Sequence, residues 1–375
     1  MVEWKKLGDI CSNVFAGGTP STKHEDYYDG DIPWIRSGEI DFNVLQSSER
    51  NITQKGYDNS SAKLIRKGSV VMAMTGATVA KSAIVEFETS ANQSVCALET
   101  DEAVANYKYL FYCLSKDYFI IRSSAQGALT SLNLAMIKQI EIPIPSISEQ
   151  NRIVGILDTF TAAIDNLKEQ IAQRRKQYEY YRDQLLDLEG KEGVEMKTLG
   201  EIGEVCMCKR IMKDQTSETG DVPFFKIGTF GGTPDAYISR DLYDTYKTLY
   251  SFPKKGDILL SASGTIGRKV VYDGEDAYFQ DSNIVWIDNG EKVVTNPFLY
   301  YVYNTIEWKV DGGTIKRLYN YNLKSARIPV PPHSEQSRIV SILDTFEASI
   351  QNLQAQLAQR EKQYEYYRNK LLTFE

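Results

Sequence analysis

Apolar and aromatic residues recur at alternating steps of four and three in two long stretches of the chain, one in its middle and one at its end. This spacing has a period of about 3.5 residues, which is typical of the seam of a coiled-coil helix. The first seam consists of Phe160, Ile164, Leu167, Ile171, Tyr178, Tyr181 and Leu185. The second consists of Phe346, Ile350, Leu353, Leu357, Tyr364, Tyr367 and Leu371. One polar position interrupts each seam, Arg174 in the first and Arg360 in the second, and such a break often fixes register or partner orientation.

The two stretches are copies of one sequence. Glu149 and Glu335 begin nearly identical segments, and the offset of 186 residues is unchanged at Lys176 and Lys362, so no residue is inserted or lost between the copies. Each copy predicts a helix of about 40 residues and about 60 Å. Because so long an apolar stripe needs a partner in water, we predict that the two helices pair with each other, antiparallel. Homodimerisation through one or both helices is the alternative.

The remaining sequence predicts mostly strands, with fewer helices. We predict strands over 31–36, 67–74 and 81–87, a helix over 107–115 and an edge strand over 140–145. The second half repeats this order of elements with a different sequence. Lys255–Gly264 matches Lys67–Gly76, whereas the first residues of the two halves differ strongly.

The fold class predicted from these patterns is α+β, with two pseudo-repeated mixed α/β domains separated by two long antiparallel coiled-coil helices. The predicted parts are a first domain over 1–145, a helix over 146–189, a second domain over 190–331 and a helix over 332–375. Antiparallel pairing would make a pseudo-two-fold dumbbell with a rigid spacer. Such a spacer suits two sites one turn of B-DNA apart, about 34–36 Å.

Composition is that of an ordinary globular protein, with 42% hydrophobic and 25% charged residues among 375. The chain has no apolar run as long as a membrane span and no hydrophobic signal segment at its start, so we expect a cytoplasmic protein without membrane contact. Its five cysteines are scattered and accompanied by only two histidines, which argues against a metal site.

The net charge of −7 and the pI of about 5.2 argue against nucleic-acid binding, unless cations are segregated on one surface. Cations and amides do recur at predicted turns in both halves. Cations can position phosphates, and Asn, Gln and Arg can read base edges. The candidate DNA-binding residues are Lys23, His24, Arg36, Lys81, Asn92, Gln93, Lys209, Arg210, Lys213, Lys226, Arg268, Lys269, Lys316 and Arg317. For any single residue, a solvated surface position is the alternative.

Catalytic motifs are not apparent. The segment 263–269 lacks the spacing of a phosphate-binding loop and is interpreted as a tight strand–turn–strand. Asn296-Pro297-Phe298 faintly resembles a methyltransferase motif, but it reads better as a helix start with Asn296 as the cap. An enzyme that acts alone is therefore not expected, and a binding surface is.

The repeated Pro-x-x-x-Glu-Gln-x-x-Ile-Val-x-Ile-Leu-Asp helix starts resemble those of the specificity subunits of type I restriction–modification systems. Gly-Thr-Pro at 18–20, Ile-Pro-Trp-Ile at 32–35, Ser-Gly-Thr-Ile-Gly-Arg at 263–268 and Gln-Asp-Ser-Asn-Ile at 280–284 add to the resemblance. It covers essentially the whole chain.

The resemblance implies that each globular domain reads one half of a split, asymmetric site in double-stranded DNA. It also implies that the helices set the spacer and dock two copies of the modification (methyltransferase) subunit, with restriction subunits in the full complex. The chain itself would be non-catalytic and bind no cofactor, because S-adenosylmethionine belongs to the partner subunit. The alternatives are a coiled-coil scaffold with two protein-binding domains, and a stand-alone methyltransferase or nuclease.

Overall fold

The computed structural model describes residues 2–125, 131–311 and 316–374, which form two compact units. The first unit comprises Met1–Glu169 together with Gln354–Glu375, and the second comprises Gln170–Leu353. Each unit therefore contains one end of both long helices. The domain boundaries given above stay a prediction.

The strands of the first unit are β1 (Glu3–Lys6), β2 (Cys11–Ala16), β3 (Tyr28–Ile35), β4 (Val44–Leu45), β5 (Asn51–Ile52), β6 (Ser69–Ala73), β7 (Ser82–Val85), β8 (Ser90–Ala91), β9 (Val95–Thr100) and β10 (Glu141–Ile144). Its helices are α1 (Leu7–Ile10), α2 (Gln54–Asp58), α3 (Tyr107–Lys116), α4 (Tyr118–Ser123), α5 (Leu134–Lys138) and the start of α6 (Ile147–Leu186). Short 3-10 turns lie at Glu25–Tyr27, Ser37–Glu39 and Gly76–Thr78.

The strands of the second unit are β11 (Glu195–Thr198), β12 (Gly203–Cys206), β13 (Val222–Phe225), β14 (Tyr237–Ile238), β15 (Ile258–Ser261), β16 (Lys269–Val271), β17 (Tyr278–Phe279), β18 (Ile284–Asn289) and β19 (Arg327–Val330). Its helices are α7 (Leu199–Ile202), α8 (Arg240–Leu249), α9 (Asn296–Val302), α10 (Asn320–Ser325) and the start of α11 (His333–Leu371), with a 3-10 turn at Lys213–Gln215.

Corresponding sheets occur in both units. The first unit has a five-stranded sheet in the order β2-β9-β6-β7-β4 and a three-stranded sheet in the order β5-β3-β8. The second unit has a four-stranded sheet in the order β12-β18-β15-β16 and a three-stranded sheet in the order β14-β13-β17. A two-stranded antiparallel sheet precedes each long helix, and its register is equivalent in both units: Glu3 pairs with Ile144, and Glu195 with Val330. The predicted α+β fold with two pseudo-repeats is confirmed.

The long helices have the predicted length, 40 residues in α6 and 39 in α11. Their starts are held by the sheet cores. In the first unit, Ile153 and Leu157 are fully buried in the same cluster as Leu372, which lies just beyond the end of α11. In the second unit, Leu186 at the end of α6 shares a cluster with Ile339 near the start of α11. Within each unit the helix segments therefore run antiparallel, which is the predicted intramolecular pairing.

One predicted helix cap is wrong by one residue. The cap of α9 is Thr295, whose hydroxyl accepts a hydrogen bond from the Phe298 N–H. Asn296 is instead buried, and its amide nitrogen donates to the Gly256 carbonyl while its oxygen accepts from the Asn289 amide. Both residue types favour caps, so the sequence alone does not select Thr295. The strand–turn–strand interpretation of 263–269 is confirmed, because β15 and β16 pair antiparallel on either side of this turn.

Candidate nucleic-acid interface

The candidate residues of the first unit lie on loops that hydrogen-bond one another at one end of its sheets. The Asn92 N–H donates to the Ile35 carbonyl over 3.0 Å, which places Asn92 beside Arg36. The Thr78 hydroxyl donates to the Ser37 carbonyl over 3.0 Å and fixes the turn before Lys81 to the same loop. Arg36, Lys81 and Asn92 are therefore brought together, although 56 positions separate the first from the last.

A further loop joins this group through Gln93. Its side-chain oxygen accepts a hydrogen bond from the Thr19 hydroxyl, which follows the Gly17-Gly18 pair. The Gly18 N–H donates to the Ala91 carbonyl over 2.8 Å, so the glycine loop lies directly against the strand that leads to Gln93. Thr19 is a polar residue of this surface that was not among the sequence candidates. The adjoining Gly-Thr-Pro signal could have indicated it.

The second unit builds the corresponding surface from different side chains. Asn283 is its centre: its side-chain oxygen accepts from the Ser263 hydroxyl over 2.8 Å and from the Arg317 guanidinium over 3.0 Å. The same guanidinium donates to the Ser282 carbonyl over 3.0 Å. Ser263 lies on the turn between β15 and β16, which corresponds to the Thr78 turn of the first unit. Asn283 and Ser282 were missed as candidates, although the Gln-Asp-Ser-Asn segment that contains them was noted.

The backbone of these turns is also alike in both units. Gly76 and Gly264 have φ values of +77° and +66°, and Ala80 and Gly267 follow with +67° and +80°. A Cβ on Gly267 would lie 2.5 Å from the Trp308 ring nitrogen, so only glycine fits there. The two units therefore present one loop shape with different side chains, which is the arrangement expected of two readers of different sequences.

Acidic side chains hold many of the candidate cations. Lys81 pairs with Asp41 over 2.5 Å and Arg210 with Asp281 over 2.8 Å, while Lys226 pairs with Asp235 over 2.8 Å. In the first unit, Arg36 pairs with Glu49, and the His24 ring lies 3.9 Å from Asp26. These ion pairs are largely exposed and individually weak, because solvent screens them. They also show that basic side chains of this acidic chain are balanced locally by carboxylates.

The remaining candidates are placed less uniformly. Lys23, Lys213 and Lys316 are exposed, and Lys209 lies with its ammonium 4.9 Å from the Tyr250 ring centroid. Arg268 donates to the Phe230 carbonyl over 2.8 Å at the edge of the loop group.

Lys269 lies apart from this group, because its side chain contacts α9 and the residues after it rather than the loops. Its ammonium contacts the Tyr300 ring and donates to the Asn304 side chain. Burial lowers the pKa of Lys269 to about 8. The DNA-contacting role of the whole set stays a prediction.

Each long helix begins with a buried glutamine, and the hydrogen bonds of this glutamine are equivalent in the two units. Gln150 is fully buried; its amide donates to the Val104 and Pro145 carbonyls, and its oxygen accepts from the Asn106 N–H. Gln336 is also fully buried and makes the equivalent three bonds, to the Val293 and Pro331 carbonyls and from the Thr295 N–H. The glutamine of each Glu-Gln motif therefore attaches the start of a long helix to its sheet domain by hydrogen bonds. The exact repeat of this motif was a signal for that role.

A tyrosine–aspartate hydrogen bond attaches each helix to its domain about two turns further on. The Tyr112 hydroxyl donates to Asp158 over 2.6 Å, and the Tyr301 hydroxyl donates to Asp344 over 2.5 Å. Asp158 also binds the Lys108 ammonium over 2.7 Å. The position equivalent to Lys108 in the second unit is Pro297, so the two units differ here.

The seam residues of the helices pack as matched aromatic groups. In the first unit, Phe160 stacks on Tyr367 with ring centroids 5.3 Å apart and planes at 26°, and Arg360 lies over the Phe160 ring. In the second unit, Phe346 stacks on Tyr181 at 5.4 Å and 27°, and Arg174 lies over the Phe346 ring.

The polar breaks of the two seams are therefore cation–π partners of the neighbouring phenylalanine. Of the other seam residues, Ile164 and Ile171 are buried, and Leu185, Tyr364 and Leu371 pack beside the sheet cores.

Each aromatic group leaves tyrosine exposed. Tyr180 and Tyr366 are each 59% exposed and lie edge-on against Tyr181 and Tyr367, with ring centroids 5.3 and 5.2 Å apart. Exposed tyrosines that are held rigidly by neighbouring rings are typical of protein-binding surfaces. The same surface occurs once in each unit.

No helix in the described parts of the chain is long and apolar enough to cross a membrane, and no metal-binding cluster of His, Cys, Asp or Glu occurs among the same residues.

Comparison with known proteins agrees with this geometry. The model of the type I restriction modification DNA specificity domain matches twice, over residues 1–174 and 191–361. A putative type I restriction enzyme specificity subunit of Haemophilus influenzae is 42% identical over 100% of this chain and 96% of its own length. The MjaIX specificity subunit of Methanocaldococcus jannaschii is 26% identical over 96% of this chain and 88% of its own.

Solved structures share the fold. The S subunit of a type I restriction–modification system from M. genitalium superposes with a TM-score of 0.61 at 15% identity, over 100% of this chain and 97% of its own. A chain from a structure of the assembly and conformational transition of the type I R-M system gives a TM-score of 0.64 at 20% identity, over 99% and 97%.

The chain therefore belongs to the type I restriction–modification DNA specificity family, in the role of the subunit that determines DNA sequence specificity.

Proposed function

We propose that the loop group of each unit reads one half of a bipartite, asymmetric DNA site. The observation that best supports this proposal is that the two units have the same turn shape but present different side chains there. Arg36, Lys81 and Asn92 would act in the first unit, and Arg210, Arg317 and Asn283 in the second. Lysine and arginine would replace their acidic partners with phosphates, while arginine and the amides hydrogen-bond to base edges.

The repeated helix surface would dock two copies of the modification subunit. Tyr180 with Tyr181 in the second unit and Tyr366 with Tyr367 in the first present the same rigid aromatic group, and one kind of partner can recognise both. Restriction subunits would join the modification subunits in the full cytoplasmic complex. This chain would contribute no catalytic residue and bind no cofactor, since S-adenosylmethionine would be held by the modification subunit.

The test is to co-express this chain with an adenine methyltransferase (modification) subunit from the same cells, purify the complex and sequence the methylome. We expect two methyltransferase copies per chain and methylated adenine within a split motif. A complex without methylation would favour the scaffold alternative. Methylation by the chain alone would contradict its non-catalytic role.

The two halves can then be assigned with single variants. Arg317→Ala should relax or abolish the half of the motif read by the second unit, because its guanidinium organises Ser282 and Asn283. Asn92→Ala should do the same for the other half. Variants that alter both halves equally would contradict one reader per unit.

A further inference from the structure

The second unit has a cleft where the first unit has an ion pair. In the first unit, Lys108 in the first turn of α3 pairs with Asp158 on α6. In the second unit, the equivalent position in the first turn of α9 is Pro297, which has no ammonium to offer Asp344 on α11. The correspondence is fixed on both sides by shared contacts: Tyr112 and Tyr301 bind the two aspartates in the same way.

The space left by this exchange is substantial. A cleft of about 620 Å³ is lined by Glu291, Pro297 and Asp344, among others. An adjoining cleft of about 440 Å³ shares these three residues and adds Glu347. Asp344 is exposed there, whereas Asp158 is half-buried under Lys108. We name the combined feature, bounded by Glu291, Pro297, Asp344 and Glu347, the acidic cleft.

Glu291, Asp344 and Glu347 line the acidic cleft, and none of its described lining residues is a lysine or arginine. Glu347 is an added carboxylate, because its counterpart in the first unit is Thr161. It accepts a hydrogen bond from the Tyr178 hydroxyl, which is not a cation. Two cations lie nearby and have other partners. The Lys269 ammonium donates to the Tyr300 carbonyl and the Asn304 side chain, and the Arg182 guanidinium lies over the Tyr178 ring. Burial also lowers the pKa of Lys269 to about 8, so this side chain loses its charge as the pH rises above 8.

We propose that the acidic cleft receives a lysine or arginine side chain of the modification subunit, which supplies from the partner the cation that Lys108 supplies within the chain in the first unit. The proposal rests on the docking of that subunit given under the proposed function. The two docking surfaces would then be unequal. In the first unit the aspartate is paired with a cation of the same chain, whereas in the second unit the cation comes from the modification subunit.

The test is a set of variants in the complex with the modification subunit. Pro297→Lys places in the second unit the side chain found at this position in the first, where the same helix start tolerates it. Glu291→Gln combined with Glu347→Gln removes two of the carboxylates and keeps the bond from Tyr178. Both variants should weaken binding of one modification-subunit copy by roughly tenfold or more, so that a complex with a single copy accumulates.

Glu102→Gln is the matched control, because Glu102 occupies in the first unit the position of Glu291. It should leave two copies bound with unchanged affinity. Mass photometry and titration calorimetry measure the stoichiometry and the affinity, and thermal unfolding of each free chain checks that the variants are folded.

The outcomes separate this proposal from the one on which it rests. If the wild-type chain binds two copies and all variants bind two equally well, the acidic cleft proposal is overturned and docking stands. If the wild-type chain binds none, docking itself fails and the cleft proposal fails with it. If millimolar spermidine stabilises the wild-type chain but not Pro297→Lys, and partner affinity is equal in both, the cleft takes a small cation and the proposal is overturned.

Discussion

Single buried polar side chains decide how the long helices are attached. Gln150 and Gln336 each satisfy two carbonyls and one N–H that are otherwise hidden from water. A buried polar group without its partner costs about 1–3 kcal/mol, so these bonds count mainly through what their loss would leave unsatisfied.

Gln150→Ala should therefore lower the free energy of unfolding by about 3 kcal/mol, because it leaves a cavity and three unpaired backbone groups. Urea denaturation of the purified chain measures this. Gln359→Ala, at an exposed position of α11, is the matched control and should change stability by less than about 0.5 kcal/mol. An equal loss of stability in both variants would contradict the role of Gln150 in attaching α6 to its domain.

Lys269 should give the chain a distinctive pH dependence. Because burial lowers the pKa of Lys269 to about 8, the unfolded chain binds more protons than the folded chain between pH 8 and the ordinary lysine range. This side chain therefore makes stability rise with pH in that window. Below pH 8 the cost of burying its charge is fully present.

Lys269→Met should remove this contribution. The stability of the variant relative to the wild-type chain should be highest at pH 7 and decline towards pH 9.5, as followed by thermal unfolding. Lys370→Met, on the exposed side of α11, should show no such trend. A difference that does not change with pH would disprove the charge-based explanation.

At the scale of the elements, α6 and α11 are held together by two copies of one aromatic and cationic group. Phe160, Tyr367 and Arg360 form it in the first unit, and Phe346, Tyr181 and Arg174 form it in the second, with nearly the same distances and angles. The constant offset between the two helices is explained by this geometry, since an insertion in one copy would move its rings out of register.

A double-mutant cycle can measure the coupling within this group. Phe346→Leu and Arg174→Met should each destabilise the chain, with a coupling energy of about 0.5–1 kcal/mol for the cation–π contact. The same cycle with Phe160→Leu and Arg360→Met should return the same value within error. Clearly different couplings would mean that the two groups are not energetically equivalent.

At the scale of the whole molecule, α6 leads the chain from the first unit into the second, and α11 begins in the second unit and ends in the first. Adding seven residues to each of α6 and α11 preserves the 3.5-residue period and adds about 10 Å of helix. We expect a methylated motif with unchanged half-sites and a spacer about three base pairs longer, at 3.4 Å per base pair.

The methylome of cells that express the extended chain with the modification subunit measures this spacer. An insertion of four residues in one helix alone, about one helical turn, is the comparison, and it should also alter the spacer length without altering the half-sites. An active extended chain with the original spacer would show that the helices do not set it.

Much of this architecture follows from the sequence because it is local or repeated. The helix lengths, their pairing and the α+β pattern were predicted from periodicity and from a constant offset, and the structure confirms them. The cap of α9 was not predicted correctly, since Thr295 and Asn296 are both good caps and only the burial of Asn296 against Gly256 decides between them. In the sequence, Arg174 and Arg360 are recognisable only as polar breaks in the seams, and their cation–π contacts are seen only in the structure.

Two unlike domains and one helix used twice follow from the amino-acid sequence, because hydrophobic period and internal identity can be counted along a chain. Which cations lie together and which are paired with acids follows from the folded structure, because those contacts join loops far apart in sequence. It alone showed that Lys269 lies apart from the candidate DNA-binding loops and that Asp344 lacks the ammonium bound by Asp158. These facts depend on which side chains meet after folding, and no local pattern records them.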